Sequence, residues 1–365
     1  MSFTFIQFLQ LLLIFQTYFF GLFLVSQRKK KLSNTILSIL LFEIGSHILS
    51  WFLVSKSILA VPITNFSWFF SFSYGGLLYL YAQSLTYKDF EMRKNDFSHA
   101  ILPIGVVILI FAGVPFRELD LYYGMLLSLV VYLFLTFKTI THFHKVLLHT
   151  VSTNSKLKLN WFITLFSYFI LALVIDIVRV LINGAGIADM YWEILVNLIL
   201  ITMVNTAIYN GLRYPDIFIG IDKEDETIAK LNEDRKPESL VENAVNSEIR
   251  TEIQVYIEQN KPYLNPALSL AELSAQLKIP ARQVSQVINE QLNQNFSDFV
   301  NTYRIKEAQK RLENPKEAKE TISEVMYEVG FNSKSAFNTA FKKKTGLSPS
   351  QYKTMFNSSR TEIDS

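Results

Sequence analysis

The sequence predicts an all-α protein of two unlike parts: a seven-helix transmembrane bundle, then a cytoplasmic polar domain with two helix-turn-helix units. Three observations predict it. Long apolar runs are confined to residues 1–214, whereas 222–365 have an ordinary soluble composition. Lys and Arg gather in alternate connections between those runs. The polar part twice repeats a capped helix, a turn and a second helix with polar side chains on its outer face.

A chain of 365 residues has room for two domains or more. Half of it is hydrophobic, with 30 Phe, which is high for a soluble protein. It has no Cys, which excludes disulfides, thiolate metal sites and cysteine nucleophiles. The formal charge of +3 is too small to have a global meaning, so the distribution of charge carries the argument.

A hydrocarbon core about 30 Å thick needs about 20 apolar residues per helix. Seven segments qualify: 3–25, 35–54, 59–85, 99–114, 121–137, 161–182 and 190–212. The fourth is short and lies between Pro103 and Pro115. Lys and Arg stay cytoplasmic and so set orientation. The odd-numbered connections hold Arg28, Lys29, Lys30 and Lys31, then Lys88, Arg93 and Lys94, then Lys138, Lys145, Lys156 and Lys158. The even-numbered ones hold Lys56 and Arg117, and the 184–189 turn has no basic residue. The N-terminus is expected outside and everything after Arg213 in the cytoplasm. The first segment reads as a retained helix, because it lacks a basic start and an Ala-x-Ala-like cleavage site.

Ionisable groups inside such helices are costly in lipid and face the bundle interior. Glu43 and His47 lie four apart on one face of the second segment. Asp176 and Arg179 lie three apart in the sixth, and Glu193 and Asn197 begin the seventh. Two readings stand: a ligand pocket open to the periplasmic side, or polar groups that hold helices together, with Asp176 and Arg179 neutralising each other. No metal site is expected. His99, His142, His144 and His149 fall at or beyond the cytoplasmic ends and leave His47 alone in the core, whereas a catalytic zinc takes three protein ligands.

Residues 216–252 hold eleven acidic side chains against five basic, with Pro237 in their midst. Residues 222–239 read as a solvated hinge. From 240 onward Leu240, Val241, Val245, Ile249, Ile253 and Ile257 recur at three- and four-residue steps, the spacing of an amphipathic helix. That helix would pack on the following domain or pair with a second subunit, giving a homodimer. The chain thus divides into a sensor bundle (1–214), an acidic linker with an amphipathic helix (215–252), the helix-turn-helix domain (253–356) and a disordered tail (357–365).

The first helix-turn-helix unit starts at Ser269 with Glu272 three residues later, a capping box. Leu270, Leu273 and Leu277 form its inward stripe, Lys278 and Ile279 turn the chain, and Pro280 suits the start of the next helix. There Val284, Val287 and Ile288 face inward, leaving Arg282, Ser285, Gln286 and Asn289 outward. The second unit repeats the grammar with Thr321 and Glu324, Ile322, Val325 and Val329, and Gly330 as the left-handed stop. Ser333 caps the next helix, Phe337 and Phe341 anchor it, and Lys334, Ser335, Asn338, Thr339 and Lys342 point outward, followed by Lys343 and Lys344. A long helix over 296–312 joins the units. Two units on one stiff helix set both second helices into successive major grooves, where Arg, Lys, Asn and Gln read base edges. The lysine run fits phosphate contact and plain solvation equally well.

The stretch "VGFNSKSAFNTAFKKKTGLSPSQYK" resembles the terminal signature of the AraC/XylS family of bacterial transcription regulators, and the likeness extends over about 253–356. It implies DNA contact by Arg282, Ser285 and Gln286 from the first reading helix, and by Lys334, Ser335, Asn338 and Thr339 from the second. Ala336 stands where the family commonly has Tyr, and Thr339 where an Arg often binds, so contacts in the second groove are expected to be lighter. The family's usual cupin-like effector domain is replaced by the membrane half. The expected protein is a membrane-bound one-component transcriptional regulator of a bacterial inner membrane, not an enzyme and without cofactors. Its expected partners are double-stranded DNA, membrane lipid, RNA polymerase and a small-molecule signal. The rival reading is a transporter or membrane enzyme that uses the tail as a regulatory module. A protein-interaction role for the tail fits less well with outward Arg, Gln, Asn and Lys on both second helices.

Overall fold

The computed structural model describes residues 4–27, 31–55, 66–151, 155–182, 187–213, 221, 223–231, 240–313 and 320–363. Of the loop residues invoked above, 28–30, Lys56, 184–186 and Pro237 lie outside them, as do the side chains of Lys156, Lys158, Leu240, Val241 and Val245. The described residues are helical apart from turns and isolated β-bridges. The chain separates into two compact units, residues 1–141 with 159–220 and residues 142–158 with 221–365.

The first unit contains α1 (Phe5–Ser26), α2 (Leu32–Ser55), α3 (Ser67–Thr86), α4 (Ile101–Phe111), most of α5 (Glu118–Thr150) and of α6 (Ser155–Ile182), and α7 (Ile187–Arg213). Thr4 starts α1 with a full capping box, its hydroxyl accepting from the Gln7 N–H while the Gln7 side chain accepts from Thr4 N–H. α1 and α2 pack backbone to backbone because glycines stand at the contact. A Cβ at Gly21 would lie 2.8 Å from the Phe42 ring, and one at Gly45 would lie 2.5 Å from Thr17 Oγ1. Ser38 seals the approach by donating to the Gly21 carbonyl at 2.8 Å.

Among the described residues six helical stretches are long and apolar enough to cross a membrane, not the seven expected. α3 is the helix that falls short. Its Ser, Tyr and Gln dilute the apolar run, yet Phe70, Phe72, Leu78, Leu80, Tyr81 and Leu85 are buried among neighbouring helices. A helix so enclosed needs no continuous apolar surface. α1, by contrast, exposes Phe8, Phe15, Phe19 and Leu22, and α5 exposes Leu127, Val131 and Phe134. Contiguous apolar surface of this kind is not what a water-facing protein carries.

Three expected segments change their bounds: the sixth, expected at 161–182, begins at Ser155, while residues 59–65 of the third lie outside the described residues. The fourth, expected at 99–114, is a 3-10 helix (Lys94–Ala100) running into α4. Eleven α-helical residues reach only about 16 Å, and the tighter 3-10 turns bring the stretch to about 30 Å. The fifth, expected at 121–137, continues to Thr150. At 33 residues α5 is about 50 Å long, well beyond a hydrocarbon core.

The second unit is built from the end of α5, α8 (Lys223–Leu231), α9 (Leu240–Asn260), α10 (Leu270–Leu277), α11 (Ala281–Glu290), α12 (Phe296–Glu313), α13 (Ile322–Glu328), α14 (Lys334–Thr345) and α15 (Pro349–Ile363). It has two cores. Ile253, Ile257, Leu268, Leu273, Val284, Ile288 and Phe296 fill the first, and Val325, Val329, Phe337, Phe341 and Tyr352 fill the second. α12 serves both, giving Phe299 and Val300 to one and Ile305, Ala308 and Leu312 to the other. The region expected as a solvated hinge, 222–239, is helical over Lys223–Leu231, and Ile228 joins the first core. The tail expected to be disordered, 357–365, continues α15 as far as Ile363. In each case a polar composition hid a helix: α8 is anchored by one or two apolar side chains, and α15 by Tyr352 and Phe356.

Candidate nucleic-acid interface

Each helix-turn-helix unit is set by its caps. Ser269 accepts from the Glu272 N–H at 3.1 Å, but the reciprocal half of the expected capping box is missing. The Glu272 carboxylate instead accepts from Asn265 Nδ2 at 3.2 Å. Lys278 takes the left-handed turn with φ 58°, and Pro280 occupies the cap position of α11. In the second unit the box is complete. Thr321 accepts from the Glu324 N–H at 3.2 Å, and the Glu324 carboxylate accepts from Thr321 N–H at 2.6 Å. Those bonds hold the Glu324 carboxyl below its ordinary range. Gly330 ends α13 with φ +90°, and a Cβ there would lie 2.7 Å from the Tyr263 carbonyl, so no other residue fits. Ser333 caps α14 by accepting from the Ala336 N–H at 3.3 Å.

α14 presents Lys334, Ser335, Thr339 and Lys342 to solvent, with Asn338 half-buried beside them. Phe337 and Phe341 fix its rotation, each packed edge to face with its neighbours Phe331 and Tyr352. Lys343 is held by Asp298 of α12 at 3.2 Å, while Lys342, Lys343 and Lys344 also occupy the last turn, where the helix dipole favours cations. On α11 the outcome is split. Arg282 is exposed and Gln286 half-buried, its amide donating to Glu290 at 3.1 Å. Ser285 and Asn289, expected outward, are buried, with 1% and 8% of their surface exposed. Asn289 Nδ2 donates to the Ser285 carbonyl at 2.7 Å. Their positions lie at the edge of the helix's inward stripe, and periodicity alone does not reveal what covers that edge.

One residue central to this geometry is not among those singled out from the sequence. Arg304 of α12 is 1% exposed, between the two cores. It donates to the Tyr263 carbonyl at 2.7 Å and to the Asn265 carbonyl at 2.8 Å, and lies 5.6 Å from the Phe331 ring centroid. Burial lowers its guanidinium to about 10, so it stays protonated at neutral pH. It ties the segment before the first unit to the turn of the second and so fixes α11 relative to α14. A signal was present: Val300, Arg304 and Ala308 recur at i, i+4 spacing on one face, which puts an arginine in a buried stripe.

The polar groups of the first unit are distributed over separate contacts. The Ser73 hydroxyl donates to Glu43, and His47 Nδ1 shares a hydrogen bond with Tyr74 at 2.8 Å, so both residues of α2 hold α3. Arg179 donates to Asp176 from Nη2 at 2.8 Å and from Nε at 3.1 Å. Asn197 donates to the Glu193 carbonyl of its own helix at 2.8 Å, and Glu193 is exposed. Among the described residues no group of three or more His, Cys, Asp or Glu is placed to hold a metal ion.

A family model described as a helix-turn-helix domain matches residues 273–355, from α10 into α15. An uncharacterised HTH-type transcriptional regulator of Pseudoalteromonas carrageenovora is 28% identical over 134 residues, 36% of this chain and 76% of that protein. An uncharacterised HTH-type transcriptional regulator of Bacillus subtilis, YfiF, is 28% identical over 115 residues, 32% of this chain and 34% of its own length. The chain thus spans about a third of that relative. A solved structure of a Listeria innocua protein of unknown function aligns with 22% identity and a TM-score of 0.24, covering 32% of this chain and 98% of that one. Caps, cores and family match converge on the same residues, and the chain carries at its C-terminus an AraC-type helix-turn-helix domain.

Proposed function

We propose that the protein is a membrane-bound one-component transcriptional regulator, in which a helical membrane bundle controls a sequence-specific DNA reader on the cytoplasmic face. One observation carries this reading. Helices α11 and α14 stand on either side of one long helix, pinned by Arg304, in a chain that also holds six stretches able to cross a membrane. α12 is about 27 Å long, on the scale of the about 34 Å repeat that separates successive major grooves. Arg282, Ser285, Gln286, Asn289, Lys334, Ser335, Asn338 and Thr339 are the candidate base contacts, with Lys342 on the phosphates.

With α3 counted as an enclosed seventh crossing, the charge pattern of the loops supports an external N-terminus and a cytoplasmic reader. A shared compartment for membrane and DNA makes the bacterial inner membrane the site of action, with RNA polymerase as the downstream partner. The input is assigned to the polar groups of the bundle. Glu43 and His47 hold α3 through Ser73 and Tyr74, so a ligand that competes for those bonds would shift α2 against α3. Asp176, Arg179, Glu193 and Asn197 make separate contacts and are candidate input residues in their own right.

The test is selection of a random duplex pool by the full-length protein in lipid nanodiscs. Enrichment of two sequence blocks about one helical turn apart is expected. Recovery of unenriched sequence, or binding insensitive to salt, refutes the reading.

A further inference from the structure

The burial of Ser285 and Asn289 needs a cause. At about 100° per residue, they stand about 100° and 140° round the axis of α11 from Val284. The inward stripe of the helix is Val287, Val284 and Ile288, an arc of about 100°, which is what a core-facing helix needs. Asn289 lies beyond that arc and about 20° from Arg282, which is exposed. A further element therefore closes this flank.

α8 is placed to do so. α9, α10 and α12 pack on α11 as the domain's own helices; α8 contacts α11 in addition, and Ile228 enters the same core cluster as Val284, Val287 and Ile288. Ala229 beside it is 2% exposed. α8 lies before both the stretch that matches the helix-turn-helix family model, which begins within α10, and the 253–356 span expected for the reader. The end of α5 lies in the same unit and holds α8 from the other side, with His142 Nε2 3.3 Å from Glu226 Oε1. Val151, just after α5, bridges to Ser269, the cap of the first unit.

We propose that α8 is an autoinhibitory cover on the first reading helix, latched by the cytoplasmic end of α5. The proposal rests on the DNA-binding reading above. With α8 docked, Ser285 and Asn289 are closed to base edges, and of the four candidate contacts on α11 Arg282 and part of Gln286 stay open. With α8 released, the whole outer face is free. A nine-residue helix is unstable alone in water, so α8 folds on α11 or melts away from it. Few apolar side chains anchor it, which puts its opening at the low end of the domain's local stabilities. His142 lies on α5, so a displacement of the end of that helix acts on Glu226 directly.

The chain has no Cys, so single cysteines report accessibility without background. Asn289→Cys and Arg282→Cys are made in the full-length protein in nanodiscs and labelled with a maleimide dye. Arg282→Cys should label fast and Asn289→Cys slowly. Adding Ile228→Ala, which removes the anchor, should raise Asn289→Cys labelling about tenfold or more and leave Arg282→Cys unchanged. Adding His142→Ala, which opens the latch without touching the core, should act in the same direction to a smaller extent. In chains with the native Ser285 and Asn289, both changes should strengthen binding to about 40-base-pair random duplexes in proportion, because the apparent affinity scales with the open fraction. Unchanged labelling in both backgrounds overturns the cover. Faster labelling with unchanged duplex affinity overturns its inhibitory role. If neither the native chain nor either variant binds duplex DNA, the DNA-binding reading fails and the inhibition with it, whatever the labelling shows.

Discussion

Replacing Arg304 by alanine removes a fully buried cation that joins the two halves of the DNA-reading domain. Two charge-assisted hydrogen bonds disappear, to the Tyr263 carbonyl at 2.7 Å and the Asn265 carbonyl at 2.8 Å. Each such bond contributes about 1.5–3 kcal/mol. The Tyr263 carbonyl is left buried without its partner, whereas the Asn265 bond is only partly buried and water recovers some of that loss. The contact with the Phe331 ring adds about 0.5–2 kcal/mol. Since these terms overlap, the expected loss is about 3–5 kcal/mol, out of about 5–15 kcal/mol for a whole domain. The assay is urea unfolding of the 221–365 fragment followed by circular dichroism. With a slope of about 1–3 kcal/mol per molar urea, the midpoint should fall by more than about 1 M. Arg304→Lys should recover part of the loss, because a point ammonium keeps the charge but cannot span two carbonyls in a fixed fork. A loss below about 1 kcal/mol for Arg304→Ala would refute the idea that this residue pins the units together.

Gly330→Ala should cost at least about 2 kcal/mol by the same assay, because its φ of +90° is left-handed and the new Cβ would strike Tyr263 O and Arg304 Nε. Arg282→Ala or Asn338→Ala should each relax base preference and cost about 1–3 kcal/mol of binding, whereas Lys342→Ala should weaken all sequences alike and lower the salt slope by about one; selection and titration across salt separate the two. Single cysteines at Lys94 and Lys145 should be labelled by an impermeant thiol reagent only after cells are opened, and one at Arg117 in intact cells; the reverse pattern would overturn the topology. Glu324→Gln should destabilise the domain at neutral pH, but the difference should shrink in acid. The Glu324 carboxyl is held low in the folded state, so its contribution is complete above an unfolded value of about 4.3 and is lost as pH falls through the lowered folded value.

Much of the second unit was legible because its signals are local. Thr321, Glu324, Gly330 and Ser333 announce helix ends through bonds to residues three positions away, and the structure places a cap or stop at each. Leu273, Val284, Val325 and Phe337 fall on stripes that period alone assigns inward, and all are buried. Ser269 was half right, because whether Glu272 completes the box depends on Asn265, seven residues away and free to compete for its carboxylate.

The sequence by itself determined the division into an apolar and a polar half, the two helix-turn-helix units and the side chains their outer faces could offer. These follow from composition and from interactions within one or two helical turns. Tertiary structure decided the rest, since it depends on which helix lies against which. α3 is less apolar than its neighbours because other helices shield it. Arg304 is buried because two carbonyls from a distant segment meet it there. Ser285 and Asn289 are polar in the sequence and covered in the fold, and among the helices that contact theirs is one whose acidic composition reads as linker. A side chain's type is written in the chain, but its exposure is a property of everything packed around it.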